Sequence, residues 1–374
     1  MAIAIVGLFG MLLQWHTDVP PQPDGQGNYF RPHELLAAND NAGFVVADEP
    51  PALEFPRDHG PHPEYRTEWW YITGTLADTN GERFGYQLTF FRHAMTAMPA
   101  AGPSAWHARD AWMAHFAVTD VTATAFHHSE RFSRGTLDLA GAGGEPLSIW
   151  LRDWRLWFDA GAWHLTARDG AIALTLDLTP TVAPVAQGDR GLSRKGRSAG
   201  NASIYYSMPR MQTRGSLSLP RGTFDLHGES WLDREWGTTL LDTDTVGWDW
   251  FALHLANGDN LMYYRLRRSD GAASAFSSGT MNRADGSTRR LFAGDVNTEP
   301  VLEWRSPETG MRYPAAWRLS IPSAGLMLDV TPVISGQEFT GAFRYWEGMV
   351  DVRGQTGNEA VTGAGYLEMT GYEE

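Results

Sequence analysis

The stretch His227-Gly-Glu-Ser-Trp-Leu-Asp-Arg-Glu-Trp-Gly237 places three carboxylates and two tryptophans within eleven residues. Successive side chains of an extended chain point to opposite faces of a sheet. One face then carries Glu229, Trp231, Asp233 and Glu235, and the other carries Ser230, Leu232, Arg234 and Trp236. If the segment is a strand, a carboxylate lies two residues from an indole on the same face.

The position of Asp233 beside Trp231 has two interpretations. An unpaired carboxylate is expensive to bury, and it usually responds with a raised pKa and a retained proton. A protonated carboxylic acid beside an aromatic wall is what acid-initiated alkene chemistry requires. The alternative is a surface ion pair of Arg234 with Asp233 or Glu235, next to packed tryptophans.

The composition restricts the classes of partner. The chain has 374 residues with 43 % hydrophobic residues, which suffices for two domains or one large barrel assembly. A net charge of −14 argues against nucleic acid and anionic membrane surfaces as partners. The absence of cysteine excludes disulfides and thiolate metal sites. The 16 tryptophans indicate either a wide aromatic-lined cavity or a heavily aromatic barrel core.

The N-terminal region predicts export. Residues 1–13 form an apolar run too short to cross a bilayer as a helix but typical of the core of a secretory signal. Residues 14–50 are rich in Pro, Asn, Asp and Gly and are typical of an unpacked leader. We therefore expect an exported, periplasmic or membrane-associated protein. A buried N-terminal helix is the alternative.

From about residue 52 the pattern predicts an all-β fold. Short alternating apolar runs are separated by turn dipeptides of the kind that tight hairpins need, at Asn80-Gly81, Asp169-Gly170, Asn257-Gly258, Asp270-Gly271 and Asp285-Gly286. An aromatic hairpin pattern over residues 69–92 recurs over residues 248–265, which predicts two similar β units in tandem. Residues 180–202 lack apolar periodicity and predict a long loop, either solvated or a gate over a cavity, with a basic cluster of Arg190, Arg194, Lys195 and Arg197.

Several blocks of the chain resemble the AttH/CrtC-type lipocalin-like family, which includes carotenoid hydratases and proteins described as predicted secreted hydrolases. The resemblance covers residues 52–374. It rests on Phe55-Pro-Arg-Asp-His-Gly60, Tyr65-Arg-Thr-Glu-Trp-Trp-Tyr71, Met113-Ala-His-Phe-Ala117, Gln187-Gly-Asp-Arg-Gly-Leu-Ser193, Tyr205-Tyr-Ser-Met-Pro-Arg210, Trp231-Leu-Asp-Arg-Glu-Trp236, Gly247-Trp-Asp-Trp-Phe251 and Tyr345-Trp-Glu-Gly348. It implies two tandem lipocalin-like antiparallel β-barrel domains, expected at residues 52–215 and 216–374 after a leader at 1–51. It also implies a large apolar cavity near their junction.

The resemblance also implies a candidate acid. In the carotenoid hydratases an aromatic-x-Asp pair supplies the proton, and this chain has Trp231-x-Asp233 at that place. The chain departs from those enzymes in two respects. The aromatic residue there is usually Tyr, and the upstream His-x-Trp pair is absent from residues 203–209.

Three functions follow as expectations. The first is an exported lipocalin-like protein that binds a lipid, isoprenoid or polyene in an aromatic-lined cavity, with an ABC-type export system as its partner. The second is a hydratase in which Asp233 protonates an isoprenoid alkene, Trp231 forms part of the wall, and Tyr205 or Tyr206 positions the water. The third is a secreted hydrolase of a lipid ester, although no Gly-x-Ser-x-Gly elbow is present.

The remaining candidate residues are expected to contact the ligand. No cofactor is expected, and no metal site is expected because the chain lacks clustered ligands such as His-Glu-x-x-His. The predicted ligand-binding residues are Glu68, Trp69, Trp70, His115, Glu229, Trp236, Trp248 and Trp250.

Overall fold

The fold is built almost entirely from β-strands, as the sequence predicts. The computed structural model describes residues 42–98 and 107–372. Within these ranges there is no α-helix, and two 3-10 turns occur, at Arg57–His59 and Pro322–Ala324. No helix there is long and apolar enough to cross a bilayer. The predicted signal segment and the leader up to residue 41 lie outside the described residues.

The first sheet contains thirteen strands, paired antiparallel. They are β1 Thr67–Asp78, β2 Arg83–Ala94, β3 Asp110–Asp120, β4 Ala125–Arg134, β5 Ala140–Gly143, β6 Leu147–Leu151, β7 Trp154–Asp159, β8 Ala162–Asp169, β9 Ile172–Pro180, β10 Val185–Ala186, β11 Leu192–Arg194, β12 Ala202–Leu219 and β13 Gly222–Gly237. The order in the sheet is β4-β3-β2-β1-β13-β12-β9-β8-β7-β6-β5, and the short strands β10 and β11 pair with β12.

The second sheet contains ten antiparallel strands. They are β14 Thr245–Leu255, β15 Asn260–Arg268, β16 Ser278–Asn282, β17 Thr288–Phe292, β18 Asn297–Arg305, β19 Arg312–Ile321, β20 Leu326–Pro332, β21 Glu338–Thr340, β22 Arg344–Thr356 and β23 Glu359–Thr370. The order is β17-β16-β15-β14-β23-β22-β20-β19-β18, and β21 pairs with β22. Each sheet curls into a nearly closed barrel, which confirms the predicted lipocalin-like architecture.

The two barrels repeat one arrangement. In the first, β1 lies between β2 and β13, and in the second, β14 lies between β15 and β23. The aromatic hairpins that recur in the sequence are β1–β2 and β14–β15, so they occupy equivalent places. Their turns contain Gly81 with φ 84° and Gly258 with φ 92°, a conformation that favours glycine. The predicted tandem repeat is therefore visible in the strand order.

The two sheets divide in the chain between β13 and β14, at residues 238–244. The predicted boundary between residues 215 and 216 lies inside β12, and both β12 and β13 belong to the first sheet. The long hairpin of β12 and β13 runs without a break through the predicted boundary, apart from a bulge between Met208 and Met211. The change of sheet thus comes after the hairpin, because β13 must pair with β1 to complete the first barrel.

Arg234 forms an ion pair inside the first barrel. Its side chain is fully buried and contacts the equally buried carboxylate of Glu68, which also pairs with Arg92. The guanidinium carbon of Arg234 lies 3.9 Å from the ring centre of Trp70. Burial alone raises the pKa of Glu68, but Arg234 and Arg92 outweigh it and hold that pKa at about 2. The expected surface pair of Arg234 with Asp233 or Glu235 is therefore wrong, since neighbouring residues of a strand face opposite sides.

Replacing Arg234 by Met should destabilise the fold strongly. The change leaves a buried carboxylate short of a partner, and breaking a buried ion pair typically costs about 3–5 kcal/mol. Urea unfolding followed by fluorescence measures the free energy of unfolding. Arg318→Met is the matched control, because Arg318 pairs with Asp329 on the exposed surface, and it should leave this free energy nearly unchanged. Equal losses for the two variants would contradict the structural role of the buried pair.

Candidate functional site

A cavity lies between the two barrels. The space open to the centre of a water molecule is about 180 Å³. Its walls come from β1, β2, β3, β12 and β13 of the first sheet and from β14, β15, β22 and β23 of the second. Three tryptophans and several tyrosines line it, including Trp69, Trp248, Trp250, Tyr71, Tyr205 and Tyr345. The cavity is therefore largely aromatic and can hold an apolar molecule.

Asp233 is the most enclosed carboxyl group on the cavity wall. It is 3 % exposed, and it projects from β13 on the face opposite to Arg234. Its Oδ1 accepts hydrogen bonds from the Ser207 hydroxyl at 2.5 Å and the Trp231 indole at 2.7 Å. Its Oδ2 accepts from the Tyr205 hydroxyl. Among these partners there is no cation.

Burial raises the pKa of Asp233 to about 7, because the three hydrogen bonds only partly compensate for lost hydration and nearby Glu235 adds negative charge. Burial and Asp233 raise the pKa of Tyr205 well above its usual range, so the phenol keeps its proton. When Asp233 is protonated, Tyr205 can accept that proton as a hydrogen bond and turn its own hydrogen toward the cavity. Near neutral pH the pair therefore holds a transferable proton at the cavity wall.

A second carboxyl group, Glu368, occupies the equivalent place in the second barrel. Asp233 lies opposite Tyr71 in the β1–β13 pairing, and Glu368 lies opposite Trp250 in the β14–β23 pairing. Glu368 is partly accessible, because it faces the cavity, yet it lies deep between the sheets. Burial raises its pKa to about 7, and Asp233 and Glu235 act in the same direction, while a 2.5 Å hydrogen bond from the Trp248 indole opposes the rise.

Lys195 lines the cavity. Its ammonium group lies 2.5 Å from the Glu235 carboxylate and also contacts Ser203 at 3.1 Å. The residue is 7 % exposed, so this member of the predicted basic cluster is not solvated, whereas Arg190, Arg194 and Arg197 are exposed. The predicted long loop at 180–202 contains two short strands, β10 and β11, that pair with β12. The segment is thus a strap anchored to the first barrel at the cavity.

The predicted site residues fall into two groups. The cavity is lined by Trp69, His115, Tyr205, Asp233, Trp248 and Trp250, and Trp231 supports it by its hydrogen bond to Asp233. The others do not line the cavity. Period-two alternation places four of them on the opposite face of β1, β12 or β13, inside the first barrel: Glu68, Trp70, Tyr206 and Trp236. Glu229 shares the face of Asp233 but pairs with Arg210 at 2.6 Å.

Tyr71 and Glu368 line the cavity without having been predicted from the sequence, and Lys195 was predicted only as part of a basic cluster. Tyr71 shares a face with Trp69 and donates a 2.5 Å hydrogen bond to Glu347. Glu368 could have been found by extending the internal repeat to the last strand, since its place mirrors that of Asp233. No periodic signal marks Lys195, because its segment lacks an apolar pattern.

The family model described as AttH-like matches residues 46–372. A dehydratase, asqC, from Emericella nidulans is 26 % identical over 211 residues, which are 52 % of this chain and 58 % of the dehydratase. The chain thus spans less than two thirds of the length of that relative.

Solved structures share the two-barrel fold. An AttH candidate from Nitrosomonas europaea superimposes with a TM-score of 0.79 at 32 % identity, covering 88 % of this chain and 100 % of that one. Kievitone hydratase from Nectria haematococca gives a TM-score of 0.66 at 17 % identity, with 88 % and 96 % coverage. CghA in complex with Sch210972 gives 0.55 at 14 % identity, with 88 % and 97 % coverage. The last two similarities concern the fold alone.

Asp233→Asn should change how stability depends on pH. The folded-state pKa of about 7 exceeds the value of roughly 3.9 in an unfolded chain, so the unfolded state loses this proton first. The stability that Asp233 provides is present below about pH 4 and is lost as the pH rises through 7. The variant lacks this loss, so its free energy of unfolding should rise relative to the wild type by about 1 kcal/mol per pH unit between pH 5 and 7. Urea unfolding at several pH values measures it, and a constant difference contradicts the raised pKa.

Proposed function

Because the chain belongs to the AttH-like family, we propose that it is a hydro-lyase that adds water to, or removes water from, a carbon–carbon double bond of a largely apolar substrate. A dehydratase that is similar in sequence and a hydratase that shares the fold are named for the two directions of this reaction. The observation that supports the proposal most is Asp233, a carboxyl group with a pKa of about 7 in an aromatic cavity.

Asp233 is the proton donor in the direction of hydration. Its proton, delivered directly or through the Tyr205 hydroxyl, bonds to one alkene carbon with the electrons of the double bond. The other carbon becomes a cation, which the faces of Trp69, Trp248 and Trp250 can stabilise by cation–π attraction. A water molecule then forms the carbon–oxygen bond and loses a proton. In dehydration the same steps run backwards.

The cavity favours this chemistry over carriage of an apolar ligand. A binding protein for an apolar molecule gains nothing from two half-ionised carboxyl groups, whose desolvation is costly. The names of the relatives also favour a hydratase-type role over a carrier that serves an export system. The ABC-type partner and the exported location stay predictions.

The hydrolase alternative has little support from the site. Ser207, the serine nearest to Asp233, donates directly to that carboxyl and accepts from the Gln187 amide at 2.9 Å. A serine nucleophile needs a general base that removes its proton, usually histidine. Neither partner of Ser207 is a histidine, so Ser207 is not part of a serine–histidine–carboxylate triad.

Wild-type protein should add one water to an alkene in a panel of kievitone, squalene, lycopene and geranylgeraniol. Mass spectrometry in ¹⁸O-labelled water identifies the product. Asp233→Asn should lower turnover about 10²–10⁴-fold, because the amide cannot donate an acidic proton. The wild-type rate should fall as the pH rises above about 7, where Asp233 loses its proton.

Asp329→Asn provides the control, since Asp329 lies on the exposed surface of the second barrel. It should retain wild-type turnover. Binding of the same alkenes, followed by tryptophan fluorescence, should survive in Asp233→Asn. Tight binding with no product from any alkene, in wild type and variant alike, would support the carrier and overturn the hydro-lyase.

A further inference from the structure

Three polar side chains form a chain of contacts on another part of the cavity wall. The Tyr345 hydroxyl on β22 lies 2.7 Å from His115 Nδ1 on β3. The other ring nitrogen, His115 Nε2, lies 3.5 Å from Glu130 Oε2 on β4. Tyr345 and His115 both line the cavity. These contacts therefore lead from the cavity through the His115 imidazole to the Glu130 carboxylate, which is only 17 % exposed.

The surroundings determine which nitrogen of His115 carries the proton. His115 Nε2 and Glu130 Oε2 are both buried without a hydrogen-bond partner in the described part of the chain. Glu130 Oε1 accepts from the Ala342 backbone amide, which fixes the carboxylate. A carboxylate facing Nε2 favours the tautomer with hydrogen on that atom. Nδ1 is then a bare acceptor, and Tyr345 donates its hydrogen to it.

Packing holds the imidazole in this orientation. The His115 ring stacks on Phe339 with centroids 4.4 Å apart, and it lies nearly parallel to the Tyr345 ring at 20°. His115 belongs to the first barrel, whereas Phe339 and Tyr345 belong to the second. The arrangement thus exists only where the two barrels meet, which is also where the cavity lies.

Tyr345 does not rest as a phenolate. Burial raises its pKa well above the usual range, and Glu347, Glu368 and Glu130 act in the same direction. A phenol can nevertheless pass on a proton without becoming charged. Its oxygen accepts one hydrogen while its own hydrogen moves to His115 Nδ1, and the Glu130 carboxylate stabilises the resulting imidazolium.

Resting on the proposed function, we propose that Tyr345, His115 and Glu130 form the proton acceptor of the reaction, in the same cavity as the donor Asp233. Tyr345 is the catalytic residue that touches the attacking water. His115 receives the proton through Tyr345. Glu130 is a positioning residue that orients His115 and balances its charge. The site then supplies both an acid and a base, as addition of water across a double bond requires.

The proton balance closes over one turnover. Asp233 loses a proton to carbon, and the water oxygen bonds to the cationic carbon. A proton of that water passes to the Tyr345 oxygen as the hydrogen of Tyr345 moves to His115 Nδ1. Asp233 is then a carboxylate and His115 an imidazolium, and exchange with bulk water restores both. Dehydration uses the same groups in reverse, with the imidazolium as the donor.

The tautomer of His115 tests the arrangement without a substrate. In full-length protein with ¹⁵N-labelled histidine rings, the His115 signals are those missing from His115→Asn. We expect Nε2 to carry the hydrogen and Nδ1 to be a bare acceptor whose resonance shifts in Tyr345→Phe. Hydrogen on Nδ1 overturns the proposal, because His115 would then donate to Tyr345 and could not receive its proton.

Turnover of the alkene that the wild type hydrates tests the catalytic role. Tyr345→Phe and His115→Asn should lower kcat about 10²–10⁴-fold with little change in KM. Glu130→Gln should keep the His115 tautomer and lower kcat, since it keeps a hydrogen-bonding group but removes the charge. The controls are Tyr313→Phe, which removes a buried hydroxyl bonded to Glu338, and His128→Asn, which removes a histidine packed on Phe339. Both should keep the wild-type kcat.

The failures of the two proposals are distinguishable. If Asp233→Asn is inactive but Tyr345→Phe and His115→Asn keep the wild-type kcat, the acceptor is wrong and the hydro-lyase stands. If the wild type hydrates no alkene of the panel, the hydro-lyase is contradicted and no acceptor for it remains. Loss of activity in the Tyr313→Phe or His128→Asn control, equal to that of the acceptor variants, also overturns the acceptor, since any disturbance of packing would then suffice.

Discussion

The free-energy cost of ionising a buried carboxyl group between two packed barrels determines which groups of the site keep a proton. Two carboxyl groups on paired strands of the first sheet show how the local surroundings decide the outcome. Glu68 on β1 faces the barrel interior, where Arg234 and Arg92 hold its pKa at about 2. Asp233 on β13 faces the cavity, where its partners are neutral donors and its pKa rises to about 7. Because successive side chains of β13 point to opposite faces, Arg234 and Asp233 lie on opposite sides of the sheet. Arg234 therefore does not pair with Asp233, and Asp233 keeps a proton that it can transfer.

The internal repeat explains why the cavity wall combines aromatic residues with carboxyl groups. Each barrel brings an aromatic residue opposite a carboxyl group, Tyr71 with Asp233 and Trp250 with Glu368. The rings of Tyr71 and Trp250 meet edge to face, with centroids 5.0 Å apart. Neither barrel alone would bury these groups, because each wall is covered by the other sheet. The packing of the barrels therefore creates the desolvation on which the acid depends.

The alternation of apolar and polar residues was enough to predict the strands, the repeat and the exposure of Asp233 to an aromatic wall. It was not enough to say which face of a strand meets the cavity. Trp70 and Trp236 were predicted to contact the ligand and Tyr206 to position the water, but all three pack inside the first barrel, because a barrel has two faces to fill and aromatic residues serve on both. The chain passes from one sheet to the other between β13 and β14, not near residue 215, because pairing of β13 with β1 joins distant parts of the chain. Lys195 and the contact of Tyr345 with His115 depend on tertiary packing, which leaves no local pattern in the sequence.

Asp233 keeps a proton in the folded protein close to neutral pH. Infrared difference spectroscopy between the wild type and Asp233→Asn measures this directly, because a protonated carboxyl group absorbs apart from a carboxylate. We expect a carboxylic-acid band for Asp233 at pH 6 that disappears with a midpoint close to pH 7. Glu368→Gln distinguishes the band of Asp233 from that of Glu368, whose pKa is similar. A carboxylate signal for Asp233 already at pH 5 would contradict a retained proton and, with it, the role of Asp233 as the acid.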